Sequence, residues 1–221
     1  MAVLSPHLDD GVLSLGASVR DAVQSGNQVA IVTVFAGDPH STKPAGRWDA
    51  RTGFATAGAA VTFRRDEDRK ACQRLGAEAV WLPYVDGDYG GNRSADEISA
   101  RLIEALLQYD AVLVPGRPLL HPDHLWLARC VSEHGIGNAR IGFYAELPYD
   151  LWADTTSRAT PTRPEPPGVW TSPSLSIASR IAKWRASGDY SSQLPWLSRG
   201  RRYRFALLRS RAGCERVAWA A

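Results

Sequence analysis

Short, almost wholly apolar runs alternate with helix-patterned segments from residue 2 to about residue 147. The runs are "AVLS" at 2–5, "QVAIVTVFAG" at 28–37, "AEAVWLPYV" at 77–85, "AVLVPG" at 111–116 and "ARIGFYAEL" at 139–147. A strand that is apolar at nearly every position is covered on both faces, and such strands belong to parallel sheets lying between helices. The intervening segments fit that role. In "GVLSLGASVRDAVQSG", Val12, Leu13, Leu15, Val19 and Val23 recur at helical spacing and Gly26 is a stop. "RRDEDRKACQRLG" reads as a helix ending at Gly76, and "ADEISARLIEALLQYD" as an amphipathic one. "PDHLWLARCVSEHG" is a helix with Pro122 in its first turn, where proline is tolerated. The pattern predicts a three-layer α/β/α, Rossmann-like sandwich around a mostly parallel sheet.

The rest of the chain is less regular. Residues 37–54 are polar and rich in Gly and Pro, and read as a loop. Residues 148–174 hold many Pro, Thr and Ser without a period and read as a long lid-like loop. A helix, "SIASRIAKWRAS", follows, then a hairpin, "YRFALLRSRAGCERVAW", turning near Ala212 and Gly213. The 221 residues suffice for one domain with a substantial core, and one domain over 1–221 is the expectation.

Composition narrows the function classes. A formal net charge of +3 does not demand a nucleic-acid partner, although arginines crowd the stretch from Arg199 to Arg211. Cys72, Cys130 and Cys214 are odd in number and form no C-x-x-C pair, so neither a disulfide framework nor a thiolate zinc site is indicated; Cys72 and Cys130 fall in helical patterns and are expected in the core. No apolar run approaches a membrane span and no secretory pattern opens the chain, which leaves a cytoplasmic location as the expectation.

Two polar clusters break the apolar runs. "PHLDD" at 6–10 follows the first strand and "HPDH" at 121–124 follows the fourth. In open parallel sheets, ligands bind beyond the carboxyl ends of the strands, so both clusters are expected at the same edge. Two imidazoles and a carboxylate with vacant positions suit zinc for hydrolysis or iron for oxygen chemistry. His7, Asp10 and His124 can supply that set. Asp9 is then left beside the ion as a general base, His121 can serve a developing oxyanion or leaving amine, and Asp123 can orient an imidazole. Taken singly, either cluster could be no more than a helix cap; the conjunction of the two argues for chemistry. His40 and His134 read as solvated or structural.

At these residues the chain resembles the LmbE-like, or PIG-L-type, N-acetylglucosaminyl deacetylase family. The likeness extends to "RRDEDRKACQRLG", with Arg64 and Glu67 in an R-x-x-E pattern, to "PYVDGDY" with Asp86, and to the late "KWRASGDYSSQ". It implies zinc-dependent removal of an acyl group from an amino-sugar glycoside, with another divalent metal such as Fe2+ as the alternative. His7, Asp10 and His124 match zinc ligands and Asp9 the general base. His121 matches the oxyanion-stabilising or acid histidine, with Asp123 as its partner aspartate. Arg64 and Asp86 match sugar contacts, and the Tyr190 segment is expected to cap the sugar. Leu8 stands where the family motif has proline, so the loop lacks a rigid φ; Leu8 with the following "DDGVLS" is reminiscent of deacetylases of glycosylated antibiotics. Trp48, Arg47, Trp152 and Trp170 are further candidates to face the substrate.

The rival readings are an iron oxygenase, a dinucleotide-binding domain, a non-catalytic sugar-binding module and an amidase for a non-sugar amide. The β/α alternation argues against the first. "SPHLDDGVLSLG" lacks the G-x-G-x-x-G that the second requires. A homo-oligomer is left open.

Overall fold

The computed structural model describes residues 1–90, 94–150, 168–197 and 215–220. Strands β1 (Ala2–Ser5), β2 (Ala30–Thr33), β3 (Glu78–Trp81), β4 (Ala111–Arg117), β5 (Arg140–Ala145) and β6 (Val217–Trp219) form one sheet in the order β3-β2-β1-β4-β5-β6. All neighbours run parallel except β6, which pairs antiparallel with β5.

The pleat sends alternate side chains to opposite faces. Val3, Ile31 and Leu113 join one core with Leu13 and Leu15 of α1 (Asp10–Gln24) and with Cys72 and Leu75 of the long helix Ala57–Leu75. Ala2, Leu4, Val32, Val112 and Val114 join the other, with Leu102 and Leu106 of the helix Ala95–Leu106 and with Leu127 of the helix Pro122–His134. The sandwich expected from the sequence is thus the observed architecture, with Cys72 and Cys130 buried.

In chain order the helices are α1, α2 (Arg47–Arg51), α3 (Ala57–Leu75), α4 (Ala95–Leu106), α5 (Pro122–His134) and α6 (Ile177–Ser187), with a 3-10 turn at Gly87–Tyr89. Two of these depart from the sequence reading. The 37–54 loop contains the five-residue helix α2. Helix α3 starts seven residues before Arg64, at Ala57, because Thr56 caps it by accepting the Ala59 N–H. Gly58 lets that first turn approach the preceding loop: a Cβ there would lie 2.5 Å from the Ser41 carbonyl oxygen.

The last strand is tied in by a buried ion pair. Lys183 Nζ of α6 donates to Glu215 Oε1 at 2.7 Å and to the Ser14 carbonyl at 3.1 Å. Glu215 also accepts the Ala17 and Ser18 N–H groups of α1. The first strand of the expected hairpin, most of the lid-like 148–174 segment, Trp152 and Cys214 lie outside the described residues. Among the described residues no helix is long and apolar enough to cross a membrane.

β1 and β4 are adjacent, and from β1 the chain order runs outward to β2 and β3 on one side, to β4 and β5 on the other. The sheet therefore has its topological switch point at β1/β4, where a crevice opens beyond the strand ends. The segments leaving those two strands carry the two polar clusters.

Candidate active site

The first cluster is shaped by backbone bonds. Ser5 Oγ donates to the His7 carbonyl at 2.7 Å and accepts the Gly11 N–H at 2.9 Å, folding 5–11 into a tight turn. The His7 N–H donates to Asp10 Oδ2 at 3.0 Å. The second cluster is the start of α5. His121 is its N-cap, and His121 Nδ1 accepts the Asp123 N–H at 3.3 Å. Pro122 takes the first helical position, where a missing N–H costs nothing.

Three donor atoms meet between the clusters. His7 Nδ1 lies 3.3 Å from Asp10 Oδ2, His124 Nε2 lies 3.2 Å from Asp10 Oδ2, and the two imidazole nitrogens are 3.2 Å apart. Ligand atoms about 2.0–2.1 Å from a tetrahedral ion stand about 3.3 Å from one another. The triangle therefore fits one face of such a coordination sphere. The three imidazoles of His7, His121 and His124 likewise offer ligand atoms within 4.8 Å of one another. His121 is the outlying member, with its side chain 44% exposed against 1% for His124.

The far nitrogen of each inner imidazole is held by a buried carboxylate. His7 Nε2 meets Asp123 Oδ2 at 3.0 Å, and His124 Nδ1 meets Glu146 Oε1. Bonds of this kind fix the tautomer that leaves a lone pair facing the ion. Each carboxylate has a second tie: Asp123 accepts the Gly87 N–H at 3.0 Å and Glu146 the Leu119 N–H at 3.0 Å.

The charges ask for a cation. Burial, then the Asp10 carboxylate, pushes Asp9 up to about 8. Burial alone would lower His7, but hydrogen bonds to Asp10 and Asp123 raise it to about 9. Burial also opposes charge on Asp10, and the His124 and His7 imidazoles overcome it, holding that carboxyl well below the usual range. Protons on the imidazoles thus neutralise a cluster of carboxylates, a task a bound divalent ion performs in their place. His121 is pulled down to about 4 by burial and by the neighbouring imidazoles, so it is neutral at physiological pH.

A cavity of ≈ 390 Å³ opens beside the triangle. His7, Asp9, Asp10, Arg64, Asp86 and His121 all line it, together with Trp48, Asp49, Tyr89, Tyr149 and Gln193. Arg64 pairs with the buried Asp49, which also accepts the Tyr89 hydroxyl. Asp86 caps the 3-10 turn by accepting the Asp88 N–H at 2.9 Å. Phe35, Val61, Val85 and Leu197 make part of the wall apolar.

Residues 2–134, spanning both clusters, match the family described as PIG-L: GlcNAc-PI de-N-acetylase. This chain belongs to the PIG-L family. Membership makes it a hydrolase of the de-N-acetylase class. Among solved structures it is similar to the A40926 pseudoaglycone deacetylase, at 27% identity over 99% of this chain and 95% of that one, with a TM-score of 0.76. It is similar to the zinc-inhibited form of a teicoplanin deacetylase at 25% identity, over 99% and 96% of the two chains, with a TM-score of 0.78. The 4-carboxy-2-hydroxymuconate hydratase GalB of Pseudomonas putida shares the fold, at 18% identity over 100% and 95% and a TM-score of 0.67. No curated protein matches the chain at a significant level.

In this PIG-L family member the residues singled out from sequence converge with two corrections. Tyr190 does not line the cavity. It is fully buried in the core under α3, and its hydroxyl donates to Asp68 Oδ1 at 2.7 Å. Asp123 is the partner of His7 rather than of His121, whose Nδ1 lies 4.0 Å from its carboxylate. Of the aromatic candidates, Trp48 lines the cavity, whereas Trp170 packs under the Arg117 guanidinium; Arg47 is exposed. His40 is exposed and His134 pairs with Asp96 at the surface, as expected. The sequence reading singled out none of Glu146, Asp49, Tyr89, Tyr149 and Gln193 as site residues. Tyr89 and Gln193 end the family-like stretches "PYVDGDY" and "KWRASGDYSSQ", and Glu146 is an acid directly following an apolar strand at the active edge of the sheet; Asp49 and Tyr149 carried no signal.

Proposed function

We propose that the chain is a zinc-dependent hydrolase, one domain over 1–221, that removes the N-acyl group from an amino-sugar glycoside, and that the glycoside is a glycosylated antibiotic. The observation that carries this reading is the triangle of His7, Asp10 and His124, with Asp9 on the wall of the adjoining cavity and without a side-chain hydrogen bond among the described residues. The apolar part of the cavity wall suits an aglycone, and similar structures include an A40926 pseudoaglycone deacetylase and a teicoplanin deacetylase.

His7, Asp10 and His124 would hold the ion, whose chemistry is Lewis acidity toward an amide carbonyl and toward water near neutral pH. Asp9 takes the proton from the attacking water; a cation close by favours its ionised form. His121, which lines the cavity, accepts the Asp123 N–H at Nδ1, so its proton sits on Nε2. That N–H donates to the amide oxygen as negative charge develops there. Asp9, which burial makes a weak acid, then passes its proton to the departing amine. Arg64, Asp86 and Tyr89 present donors and acceptors to sugar hydroxyls. Buried free thiols at Cys72 and Cys130 support a cytoplasmic setting.

The test is amine release from a panel of N-acyl glucosaminides and N-acylated glycopeptide pseudoaglycones, with metal analysis of the purified protein. The expected result is release that a chelator abolishes and zinc restores. Chelator-insensitive release, or none across the panel from zinc-loaded protein, overturns the reading.

A further inference from the structure

A carboxylate that is to accept a proton must keep a lone pair free for it, yet it must be aimed. Asp9 is 6% exposed, and its side chain makes no hydrogen bond among the described residues. Its aim is set by the backbone. The Asp9 N–H donates to the His7 carbonyl at 2.9 Å, and the Asp9 carbonyl accepts the Leu13 N–H at 2.9 Å. The remaining polar group of the Leu8–Asp9 peptide is the Leu8 carbonyl, in a residue only 4% exposed. It accepts Gln193 Nε2 at 2.9 Å, from 185 residues along the chain.

Gln193 is itself firmly placed. It ends a turn clamped onto α3: the Ser191 and Ser192 hydroxyls and the Ser192 N–H all donate to Glu67, and Tyr190 donates to Asp68. The Gln193 N–H closes the turn on the Tyr190 carbonyl at 3.2 Å. Two buried acids on α3 that no catalytic step uses thus hold one amide against the loop carrying the base. Leu8 leaves φ free where a proline would lock it; the Gln193 bond supplies a restraint on the peptide that follows.

We propose that Gln193 is a positioning residue for Asp9: by fixing the plane of the Leu8–Asp9 peptide, it aims the Asp9 carboxylate at the attacking water. The inference rests on Asp9 acting as the base in the proposed function. Gln193→Leu removes the donor at similar volume. Gln193→Glu keeps the shape, replaces the donor with an acceptor facing the carbonyl, and serves if the first variant does not fold. A misplacement of about 1 Å at a reacting group can cost about 10²-fold in rate.

The expected result on the best substrate of the panel is a fall in kcat of about 10–100-fold, KM changed less than about threefold and zinc stoichiometry unchanged. Crystal structures of the zinc-loaded variants are expected to show the Leu8–Asp9 peptide and the Asp9 carboxylate rotated while His7, Asp10 and His124 stay in place. An Asp9 carboxylate that keeps its orientation in both variants overturns the inference, even if the wild-type protein proves inactive on the whole panel. Wild-type activity with unchanged kcat in the variants overturns it while leaving the proposed function standing.

Discussion

Each side chain at the reaction centre is defined by what its far side touches. Among the described residues Asp9 makes no side-chain hydrogen bond, and in the proposed mechanism it is the base. Asp9→Asn is expected to retain stoichiometric zinc and lose about 10²–10⁴-fold in kcat, whereas His124→Ala loses the zinc itself; metal analysis and turnover on the same samples separate the two. Glu146 grips the back of His124. Glu146→Gln is expected to weaken zinc binding about 10–100-fold in a chelator competition. In the proposed mechanism His121 serves as a neutral donor, since burial and the nearby imidazoles keep it unprotonated down to about 4. His121→Gln, which retains an N–H, is therefore expected to keep more activity than His121→Ala, for which a loss of about 10²–10³-fold in kcat follows. His7, Asp9, Asp10, His121 and His124 were legible because few residue types do this chemistry and they cluster within four or five positions. Glu146 and Asp49 are single acids whose meaning comes from a neighbour distant in sequence. Tyr190 fails the other way: a motif match locates a residue along the chain but not the side on which its ring is buried.

At the level of elements, the strands and long helices follow from apolar periodicity. The short α2 does not, because its five residues carry no period of their own and are held by Asp49 reaching Arg64 and Tyr89. The same dependence on distant partners governs the end of the chain. β6 is only three residues long, and its neighbour Glu215 is locked to α1 through the Ala17 and Ser18 N–H groups and to α6 through Lys183. Lys183→Ala leaves a buried carboxylate without its cation and is expected to destabilise the fold by about 3–5 kcal/mol, measured by urea denaturation of the metal-loaded protein. A loss below about 1 kcal/mol, the range of an exposed pair, would show that water reaches Glu215.

Over the whole molecule, folding gathers more negative charge at the switch point than its side chains can neutralise without protons or an ion. Without metal, His7 is held at about 9 in the fold against 6.5 in an unfolded chain. The stability it contributes is complete below pH 6.5 and is lost as pH rises through 9. Asp9, at about 8 against 3.8, also binds its proton more tightly in the fold and acts in the same direction up to about pH 8. The melting temperature of chelated protein is therefore expected to fall between pH 6.5 and 9, while zinc-loaded protein stays level over that window. Scanning calorimetry of both forms checks this, and parallel curves would refute it.

One oxygen of Asp123 grips both the imidazole of His7 and the Gly87 amide, at the head of the turn that Asp86 caps. Any event that alters the charge on that ring pulls on the cavity wall at Asp86 through a single shared atom. An enzyme stripped of its ion should thus become a poor receptor for sugar as well as a poor catalyst.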